Sequence, residues 1–532
     1  MTASAEKKLA DIFPTIKTII GTDKWQRIMD TMAGEVKPEN FTTHLKEYLG
    51  ESDLPSYLTG LSTLELIIHH LSTTNYDFSP PEERPAVNPS LQVVETTWQN
   101  LVRIIQSPES AGKPGQGSEV VLIWQDPVKK QVKTRPAADD DLLALKMVVE
   151  SISPQEAAEQ GGITVTLIDR CLEKARRDGI ILVPGSKIKR DRTRFQNLPE
   201  QDTDYLTAEV FTLQWHVTQA CDLNCKHCYD RSSRGHFSLE RAYGIVDELR
   251  SFCDQKSVAG QISFTGGNPL LYPDFVELYR YAADKGFMLA VLGNPASENQ
   301  IKELCSIQKP EFFQVSLEGL KPHSDEIRGT GHFDRVLEFL DILNKNDVYS
   351  MVMLTLTNDN IEQVIPLVAE LENRANLFTF NRLSLVGEGA RLKPAPVEGY
   401  RSFLEKYLAA AGKSQVAGLK DNLLNIIKHE RGMDVFGGCA GFGCGAAFNF
   451  MALLADGEVH ACRKFPSLIG NVAQQSLMDI YDSEIAQRYR RGSAACDPCS
   501  LKPVCGGCLA VVSSNGLDPF TGRDPYCFSK TS

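Results

Sequence analysis

The sequence lacks any apolar run close to the ~20 residues that a membrane-spanning helix needs. Its first residues, MTASAEKKLADIF, contain no apolar stretch that could act as a signal peptide. Basic residues are in the minority, with 56 Lys and Arg against 68 Asp and Glu and a net charge of −12. These absences predict a cytoplasmic protein without a membrane segment and argue against a general nucleic-acid-binding protein.

The length of the chain, 532 residues, is too great for one hydrophobic core and suggests three or four domains. A Pro-, Gly- and Ser-rich stretch at 107–118, SPESAGKPGQGS, is predicted to be a boundary. We predict a helical domain at 1–106, a winged helix-turn-helix-like domain at 119–198, an α/β domain at 205–395, a helical connector at 396–436 and a Cys-rich domain at 437–532.

The N-terminal third combines helices with a small mixed segment. Apolar spacing predicts helices over 56–71 and over 91–105 (LQVVETTWQNLVRII). From 119 the pattern indicates two strands, an amphipathic helix, a second helix that begins after Ser153-Pro154, a Gly-Gly turn, a third helix and a strand. This order resembles a winged helix-turn-helix, and residues 165–192 carry eight Lys or Arg against four Asp or Glu.

Strand patterns alternate with helical patterns about six times between 208 and 390. Such alternation predicts a parallel sheet that is open or curled into a partial barrel. In these folds ligands bind at the C-terminal ends of the strands.

Fourteen cysteines are unevenly placed. Cys171, Cys253 and Cys305 stand alone and are predicted to be buried free thiols. The other eleven form one group of three at 221–228 and one of eight between 439 and 527. Because a reducing cytoplasm disfavours disulfides, clustered cysteines there more often bind metal.

The first cysteine group follows the first predicted strand of the α/β domain. Cys221, Cys225 and Cys228 have the spacing C-x3-C-x2-C. Three thiolates leave one iron of a 4Fe–4S cubane without a protein ligand, whereas a structural zinc site needs four ligands. His227 could be a fourth ligand in principle, but its position between two ligands favours a side chain that points away from the metal.

Two further strand ends carry polar or glycine motifs. The second strand ends in FTGGNP, where Gly266 and Gly267 allow close approach of a ligand to the backbone. The fourth strand ends in SLEG, with Ser316 and Glu318, and Arg328 follows. Polar groups at several strand ends of one sheet predict a binding site.

These motifs resemble those of the radical S-adenosylmethionine (SAM) superfamily. Its cluster motif is C-x3-C-x2-C followed by an aromatic residue, here Tyr229. Its glycine motif usually reads GGEP, and this chain has Asn268 in place of the glutamate. An amide oxygen can accept a hydrogen bond from the methionyl ammonium, but the negative charge is lost.

The resemblance implies a partial (β/α)6 TIM-like barrel. It also implies Ser316 near the SAM ribose and Arg328 near its carboxylate. SAM would bind the open iron, and one-electron cleavage would yield a 5′-deoxyadenosyl radical that abstracts hydrogen. A low-potential electron donor of the flavodoxin or ferredoxin type is implied as well. The implied cofactor-binding residues are Tyr229, Gly266, Gly267, Asn268, Pro269, Asn294, Ser316, Glu318 and Arg328.

The eight later cysteines suit two four-cysteine sites, which spacing alone would allow to be zinc sites. They resemble the SPASM extension of radical SAM enzymes, which binds two auxiliary 4Fe–4S clusters. The usual run there is C-x2-C-x5-C-x3-C, and one residue is missing here between Cys505 and Cys508. By analogy, one auxiliary cluster is held by Cys439, Cys444, Cys462 and Cys508, and the other by Cys496, Cys499, Cys505 and Cys527.

SPASM enzymes mostly modify peptides and proteins. The N-terminal helical extension, the GGNP variant and the shortened cysteine run together resemble the peptide maturases of the selenobiotic family. We therefore predict a maturase that recognises a ribosomally made precursor peptide through its leader and forms a cross-link such as a thioether. Oxidation of Cys or Ser in a target protein, as in sulfatase maturation, is an alternative. A DNA-binding iron–sulfur regulator is the alternative from another class. No catalytic base is assigned, although Asp456 and Glu458 lie near Cys462.

Overall fold

The computed structural model describes residues 3–32, 37–50, 54–109, 112–195 and 203–530. Tertiary contacts divide the chain into two compact units, residues 1–185 and residues 186–532. Each unit has buried apolar clusters of its own.

The first unit combines helices with short strands. Its helices are α1 (Ala3–Ile12), α2 (Pro14–Ile20), α3 (Thr22–Thr31), α4 (Pro38–Gly50), α5 (Tyr57–Thr73), α6 (Leu101–Gln106), α7 (Asp139–Glu150), α8 (Pro154–Gly161) and α9 (Val165–Asp178). Its strands are β1 (Ala86–Val87), β2 (Gln92–Gln99), β3 (Gly115–Gln125), β4 (Val132–Pro136) and β5 (Ile181–Leu182).

The helix predicted over 91–105 is wrong, because most of this segment is strand β2 and only its end is helix α6. Val94, Thr96 and Trp98 alternate inward with a period of two, which suits β-branched and aromatic residues on a sheet. Strand β2 pairs antiparallel with β3, which begins at Gly115 inside the 107–118 stretch. That stretch therefore does not separate two compact units.

The three predicted helices of the winged-helix-like segment are present as α7, α8 and α9. Ser153 caps α8, since its hydroxyl accepts from the Glu156 backbone N–H (3.2 Å) while the Glu156 carboxylate accepts from the Ser153 N–H (2.8 Å). The strand after α9, β5, pairs with β1. In the described part of 183–195 no hairpin follows α9, so a winged-helix assignment stays a prediction.

The second unit contains the predicted strand–helix alternation. Its helices are α10 (Leu239–Lys256), α11 (Phe275–Asp284), α12 (Glu298–Ile307), α13 (Lys321–Arg328), α14 (His332–Lys345), α15 (Val364–Leu371), α16 (Tyr400–Ala411), α17 (Leu424–Glu430), α18 (Leu477–Asp482), α19 (Glu484–Arg491) and α20 (Leu509–Ser514). Its strands are β6 (Val210–Thr218), β7 (Ala259–Gly266), β8 (Met288–Leu292), β9 (Phe313–Ser316), β10 (Ser350–Leu356), β11 (Leu377–Arg382), β12 (Phe450–Leu453), β13 (Glu458–His460) and β14 (Leu468–Asn471).

Strands β6 to β11 are parallel and adjacent in sequence order, which confirms the predicted six-stranded α/β arrangement. The C-terminal Cys-rich segment extends the same sheet, because β12 pairs parallel with β6 and is followed by antiparallel β13 and β14. The sheet therefore joins the predicted barrel and the predicted Cys-rich domain in one compact unit. Its C-terminal strand ends form the edge at which the candidate site lies.

Candidate active site

A cavity of about 710 Å³ lies at the C-terminal strand ends of the second unit. This volume is typical of sites that enclose a cofactor-sized ligand. Most of the residues implied to bind the cluster and SAM line it, namely Cys221, Cys225, Cys228, Tyr229, Gly266, Gly267, Asn294, Ser316 and Arg328.

The three cysteines of the first group lie on the loop after β6, and side-chain donors face two of their sulfurs. Arg328 Nη1 is 3.7 Å from Cys225 Sγ, and Asn294 Nδ2 is 3.6 Å from Cys221 Sγ. Burial raises the pKa of Cys225, which opposes formation of a free thiolate there. Cationic and amide donors aimed at sulfur suit thiolates that bind an iron–sulfur cluster.

Gly266 and Gly267 bring the end of β7 against the start of the cysteine loop. A Cβ on Gly266, whose φ is +138°, would lie 2.1 Å from the Thr218 carbonyl oxygen, and one on Gly267 would lie 2.2 Å from that of Ala220. The Gly267 N–H donates to the Thr218 carbonyl (2.9 Å). Glycine is thus required at both positions because the cysteine loop packs directly against them. This requirement is additional to the close approach of a ligand that the sequence predicted.

Asn268 and Asn294, both assigned to the cofactor from the sequence, converge on an acidic residue of the cysteine loop. The Asn268 amide donates to Asp222 Oδ1 (3.0 Å), and the Asn294 amide donates to the same oxygen (2.7 Å). Asp222 is not among the site residues predicted from the sequence. The one sequence feature that could have indicated it is its position between Cys221 and Cys225.

Glu318 does not line the cavity, in contrast to the cofactor contact predicted for it. Its carboxylate accepts from Arg328 Nη2 (2.7 Å) and from the Thr355 backbone N–H (2.9 Å), and it lies 3.2 Å from His227 Nε2. Burial would raise the pKa of Glu318, but His227 and Arg328 outweigh burial and hold the pKa well below its usual range. Glu318 therefore positions Arg328 from behind the cavity wall.

The His227 ring lies against Glu318, and the residue also lines the cavity. That its side chain points away from the metal stays a prediction. Its Nδ1 is buried without a hydrogen-bond partner among the described residues. Pro269, also assigned to the cofactor, is buried at the start of a short 3-10 turn, outside the cavity lining.

Tyr229, the aromatic residue after Cys228, is fixed on both sides. Its hydroxyl lies 3.2 Å from the ring nitrogens of His216, and the Arg463 guanidinium stacks 4.8 Å from the centre of its ring. Burial raises the pKa of Tyr229 to about 12, so the phenol stays neutral at physiological pH.

The eight later cysteines divide between two cavities in the grouping implied by analogy. One group lines the large cavity that also contains the first cysteine loop, namely Cys439, Cys444, Cys462 and Cys508. The other group lines a separate small cavity, namely Cys496, Cys499, Cys505 and Cys527. All fourteen cysteines are free thiols.

Within the described ranges, no three Cys, His, Asp or Glu side chains are close enough together to bind one metal ion. A Zn²⁺ ion would draw four thiolates to about 2.3 Å from one centre. A four-iron cubane is larger and holds its thiolates farther apart, so this spacing does not conflict with clusters at the three cysteine groups.

The shortened spacing between Cys505 and Cys508 is accommodated by two glycines. Gly506 and Gly507 have φ values of +60° and +66°, in the left-handed region that favours glycine. The turn brings Cys508 into the first auxiliary group, and its N–H donates to Asp524 Oδ2 (2.9 Å).

Two polar residues that organise the auxiliary groups were missed in the sequence. Asn422 donates to the carbonyls of Cys505 (2.6 Å) and Gly507 (2.7 Å) and accepts from the Cys439 N–H (2.6 Å). Asp524 accepts two hydrogen bonds from Arg382, both 2.9 Å. In the sequence, Asn422 and Asp524 are only polar residues next to apolar or Cys-rich runs. Such a position does not reveal the groups that they contact.

Asp456 and Glu458, the acidic residues near Cys462, both form ion pairs with Arg234, and the Glu458 pair measures 3.0 Å. Neither lines the cavity. A role as catalytic base therefore has no support from their positions.

In the part of the chain that the structure describes, no helix combines the length and the apolar character needed to cross a membrane.

Comparison with known proteins agrees with the geometry of the site. Residues 215–371 match the radical SAM superfamily, and residues 444–508 match an iron–sulfur cluster-binding domain, SPASM. An AdoMet-dependent heme synthase of Methanosarcina barkeri is 25% identical over 340 residues, which cover 59% of this chain and 95% of the relative. The mycofactocin maturase MftC of Mycolicibacterium smegmatis is 27% identical over 335 residues, which cover 59% of this chain and 82% of the relative.

Among solved structures, Streptococcus suis SuiB bound to the precursor peptide SuiA has a similar fold, with a TM-score of 0.50 and 15% identity. The likeness covers 77% of this chain and 96% of SuiB. The matched domains supply a SAM-binding 4Fe–4S site and auxiliary iron–sulfur sites, in agreement with the cysteine groups described above. The chain therefore contains a radical SAM domain and, C-terminal to it, a SPASM iron–sulfur cluster-binding domain.

Proposed function

We propose that this enzyme modifies a ribosomally made precursor peptide by hydrogen abstraction and forms a cross-link in it, most simply a thioether. The observation that carries the proposal is the shared cavity, which the SAM-site cysteines and the first auxiliary cysteine group line together. A substrate in this cavity could reach the deoxyadenosyl group and an auxiliary cluster at once.

When bound, the first cluster would supply the electron that cleaves SAM, and an auxiliary cluster would supply an acceptor for one electron. Cys221, Cys225 and Cys228 would hold the first cluster. In the cross-link, a peptide C–H bond and a cysteine S–H bond break and a C–S bond forms. The hydrogen atom leaves in 5′-deoxyadenosine, the thiol releases a proton, and the remaining electron goes to that acceptor.

The cavity wall suits a peptide thiol. Lys420, Arg463 and Lys464 line it close to the auxiliary cysteines, and nearby cations favour the thiolate form of an approaching cysteine. The site also contains neutral hydrogen-bonding side chains on the barrel strands, such as Gln214 and Gln314, which suit backbone amides.

The first unit supports recognition of a leader. Strand β4 is an edge of the three-stranded sheet, and an extended peptide can add to such an edge. Leu142, Val149 and Leu167, on α7 and α9, are exposed apolar residues that could contact the same peptide. We propose residues 119–198 as the leader-binding region. We also propose that the enzyme receives its electrons from a flavodoxin- or ferredoxin-type protein and that it is cytoplasmic.

The test uses anaerobically reconstituted enzyme, SAM, reductant and a short Cys-containing peptide encoded next to the gene. We expect 5′-deoxyadenosine and a peptide product that is lighter than the precursor by two hydrogen atoms. The peptide product should form only when the leader is present. An iron porphyrin, chosen because one relative is a heme synthase, and duplex DNA serve as competing ligands. Turnover of the porphyrin, or tight DNA binding without peptide turnover, would contradict the proposal.

A further inference from the structure

We propose that Arg190 is a buried counter-charge for the cluster at Cys439, Cys444, Cys462 and Cys508 (the first auxiliary cluster) and raises its reduction potential. This charge would make the first auxiliary cluster the acceptor of the electron that is left when the peptide cross-link forms. The role as acceptor rests on the proposed function, whereas the effect on the potential involves no peptide.

The Arg190 guanidinium joins the loops of both auxiliary cysteine groups. Its Nη2 donates to the Cys444 carbonyl (2.7 Å), and its Nη1 donates to the Pro503 carbonyl (3.3 Å). Cys444 is a predicted ligand of the first auxiliary cluster, and Pro503 lies two residues before Cys505 of the other group. The shorter contact therefore places the positive charge against the backbone of a cluster ligand.

Within the described part of the chain, no carboxylate forms an ion pair with Arg190, and its buried Nε has no hydrogen-bond partner. The guanidinium carbon lies 4.4 Å from the centre of the Phe448 ring. Burial lowers the pKa of Arg190 to about 10, so the side chain stays charged at physiological pH. A buried charge without a partner is costly. A cluster bound by four thiolates is negatively charged and would supply the missing partner.

The other cations near the first auxiliary cluster have different surroundings. Lys420, Arg463 and Lys464 line the large cavity, where solvent can screen their charges. Arg382 is already paired with two carboxylates. Arg190 lines neither cysteine-containing cavity, and a charge away from water acts more strongly on its neighbours. A positive charge stabilises the more negative, reduced state of a cluster and so raises its reduction potential.

A role confined to holding the two loops predicts a different result. Arg190→Lys keeps the positive charge but loses the forked donor that reaches both carbonyls. Arg190→Gln removes the charge but keeps an N–H donor. If only the hydrogen bonds matter, the two variants should behave alike. If the charge matters, only Arg190→Gln should change the potential.

The experiment is an anaerobic redox titration of the reconstituted full chain, followed by electron paramagnetic resonance. The first auxiliary cluster is identified as the signal that SAM does not alter and that persists in Cys496→Ala. For this cluster we expect Arg190→Gln to reduce the equilibrium constant of reduction about tenfold, a fall of about 59 mV for one electron. Arg190→Lys should keep the wild-type potential, and both variants should keep their iron. Arg192→Gln, which neutralises an exposed arginine two residues along the chain, is the matched control and should leave the potential unchanged.

A lower potential in Arg190→Gln with full iron content, together with a wild-type potential in Arg190→Lys, supports the assignment. An unchanged potential in Arg190→Gln, or an equal fall in both variants, overturns it. If Arg190→Gln does not retain the cluster, Arg190→Lys decides. Full iron at the wild-type potential then supports the assignment, and loss of iron there as well overturns it, because that result assigns Arg190 to the loop structure. Since the titration contains no peptide, missing peptide turnover would contradict the proposed function and leave this result standing.

Discussion

At the residue scale, the site depends on buried charges that hold its cavity-facing groups. Glu318 has 2% of its surface exposed and contacts Arg328, His227 and the Thr355 backbone. Removing one member of such a buried set leaves the other charge uncompensated, which is more costly than loss of an exposed ion pair.

We expect Glu318→Gln to lower the free energy of unfolding by about 3 kcal/mol, because the Arg328 charge loses its partner. Since the pKa of Glu318 is lowered in the fold, its contribution is fully present above the unfolded-state pKa of about 4.3 and is lost only on acidification. The difference in thermal midpoint should therefore shrink when the pH falls below about 4.3. Glu298→Gln, which removes the half-buried partner of the exposed Lys302 and Lys345, should cost less than about 1 kcal/mol. Equal effects of the two variants would argue against this account.

Gly267→Ala should prevent correct closure of the cysteine loop, because its Cβ would lie 2.2 Å from the Ala220 carbonyl oxygen. We expect reduced iron at the first site and loss of SAM binding, measured by iron analysis and equilibrium dialysis. Gly235→Ala, where a Cβ meets nothing within 4 Å, is the control and should bind SAM like the wild type. Normal SAM binding by Gly267→Ala would show that the loop can move away.

At the element scale, a buried ion pair joins the end of β11 to the C-terminal loop that carries Cys527. Arg382 contacts both Asp421 (2.9 Å) and Asp524, and Asp524 also accepts from the Cys508 N–H. Burial would lower the pKa of Arg382, but Asp421 and Asp524 raise it well above its usual value. The barrel and the two auxiliary cysteine groups are thus connected through one side chain.

Asp524→Asn should weaken this connection and lower the free energy of unfolding by about 2 to 3 kcal/mol. The loss of iron should exceed the four irons of the cluster that includes Cys508. The reason is that residue 524 also lies three residues before Cys527, which belongs to the other auxiliary group. Iron analysis and thermal unfolding test this together. Asp482→Asn, at an exposed pair with Lys256, is the matched control. Full iron content in Asp524→Asn would contradict the structural role.

At the scale of the whole molecule, three cysteine groups lie in one compact unit, and two of them share a cavity. This arrangement predicts a division of roles. The first group would serve SAM cleavage, the second would face the substrate, and the third lies in its own cavity.

Anaerobic reconstitution should give about twelve irons per chain, four for each cubane. Replacing Cys221, Cys225 and Cys228 with Ala should abolish deoxyadenosine formation and spare about eight irons. Replacing Cys496 and Cys499 should also remove about four irons but leave SAM cleavage without peptide turnover. If the first replacement left deoxyadenosine formation intact, the assignment of the SAM site would be wrong.

The six parallel strands and the grouping of the cysteines could be predicted from the sequence, because apolar runs and Cys spacing are local patterns. The family could be predicted as well, since Cys221 to Tyr229 and the GGNP motif are contiguous. Which distant groups meet became visible only in the folded chain. Strand β2 depends on its pairing with β3, which begins at Gly115. Glu318 binds Arg328 instead of lining the cavity. Asp222, Asn422 and Asp524 act through contacts with residues far along the chain, which no local pattern specifies.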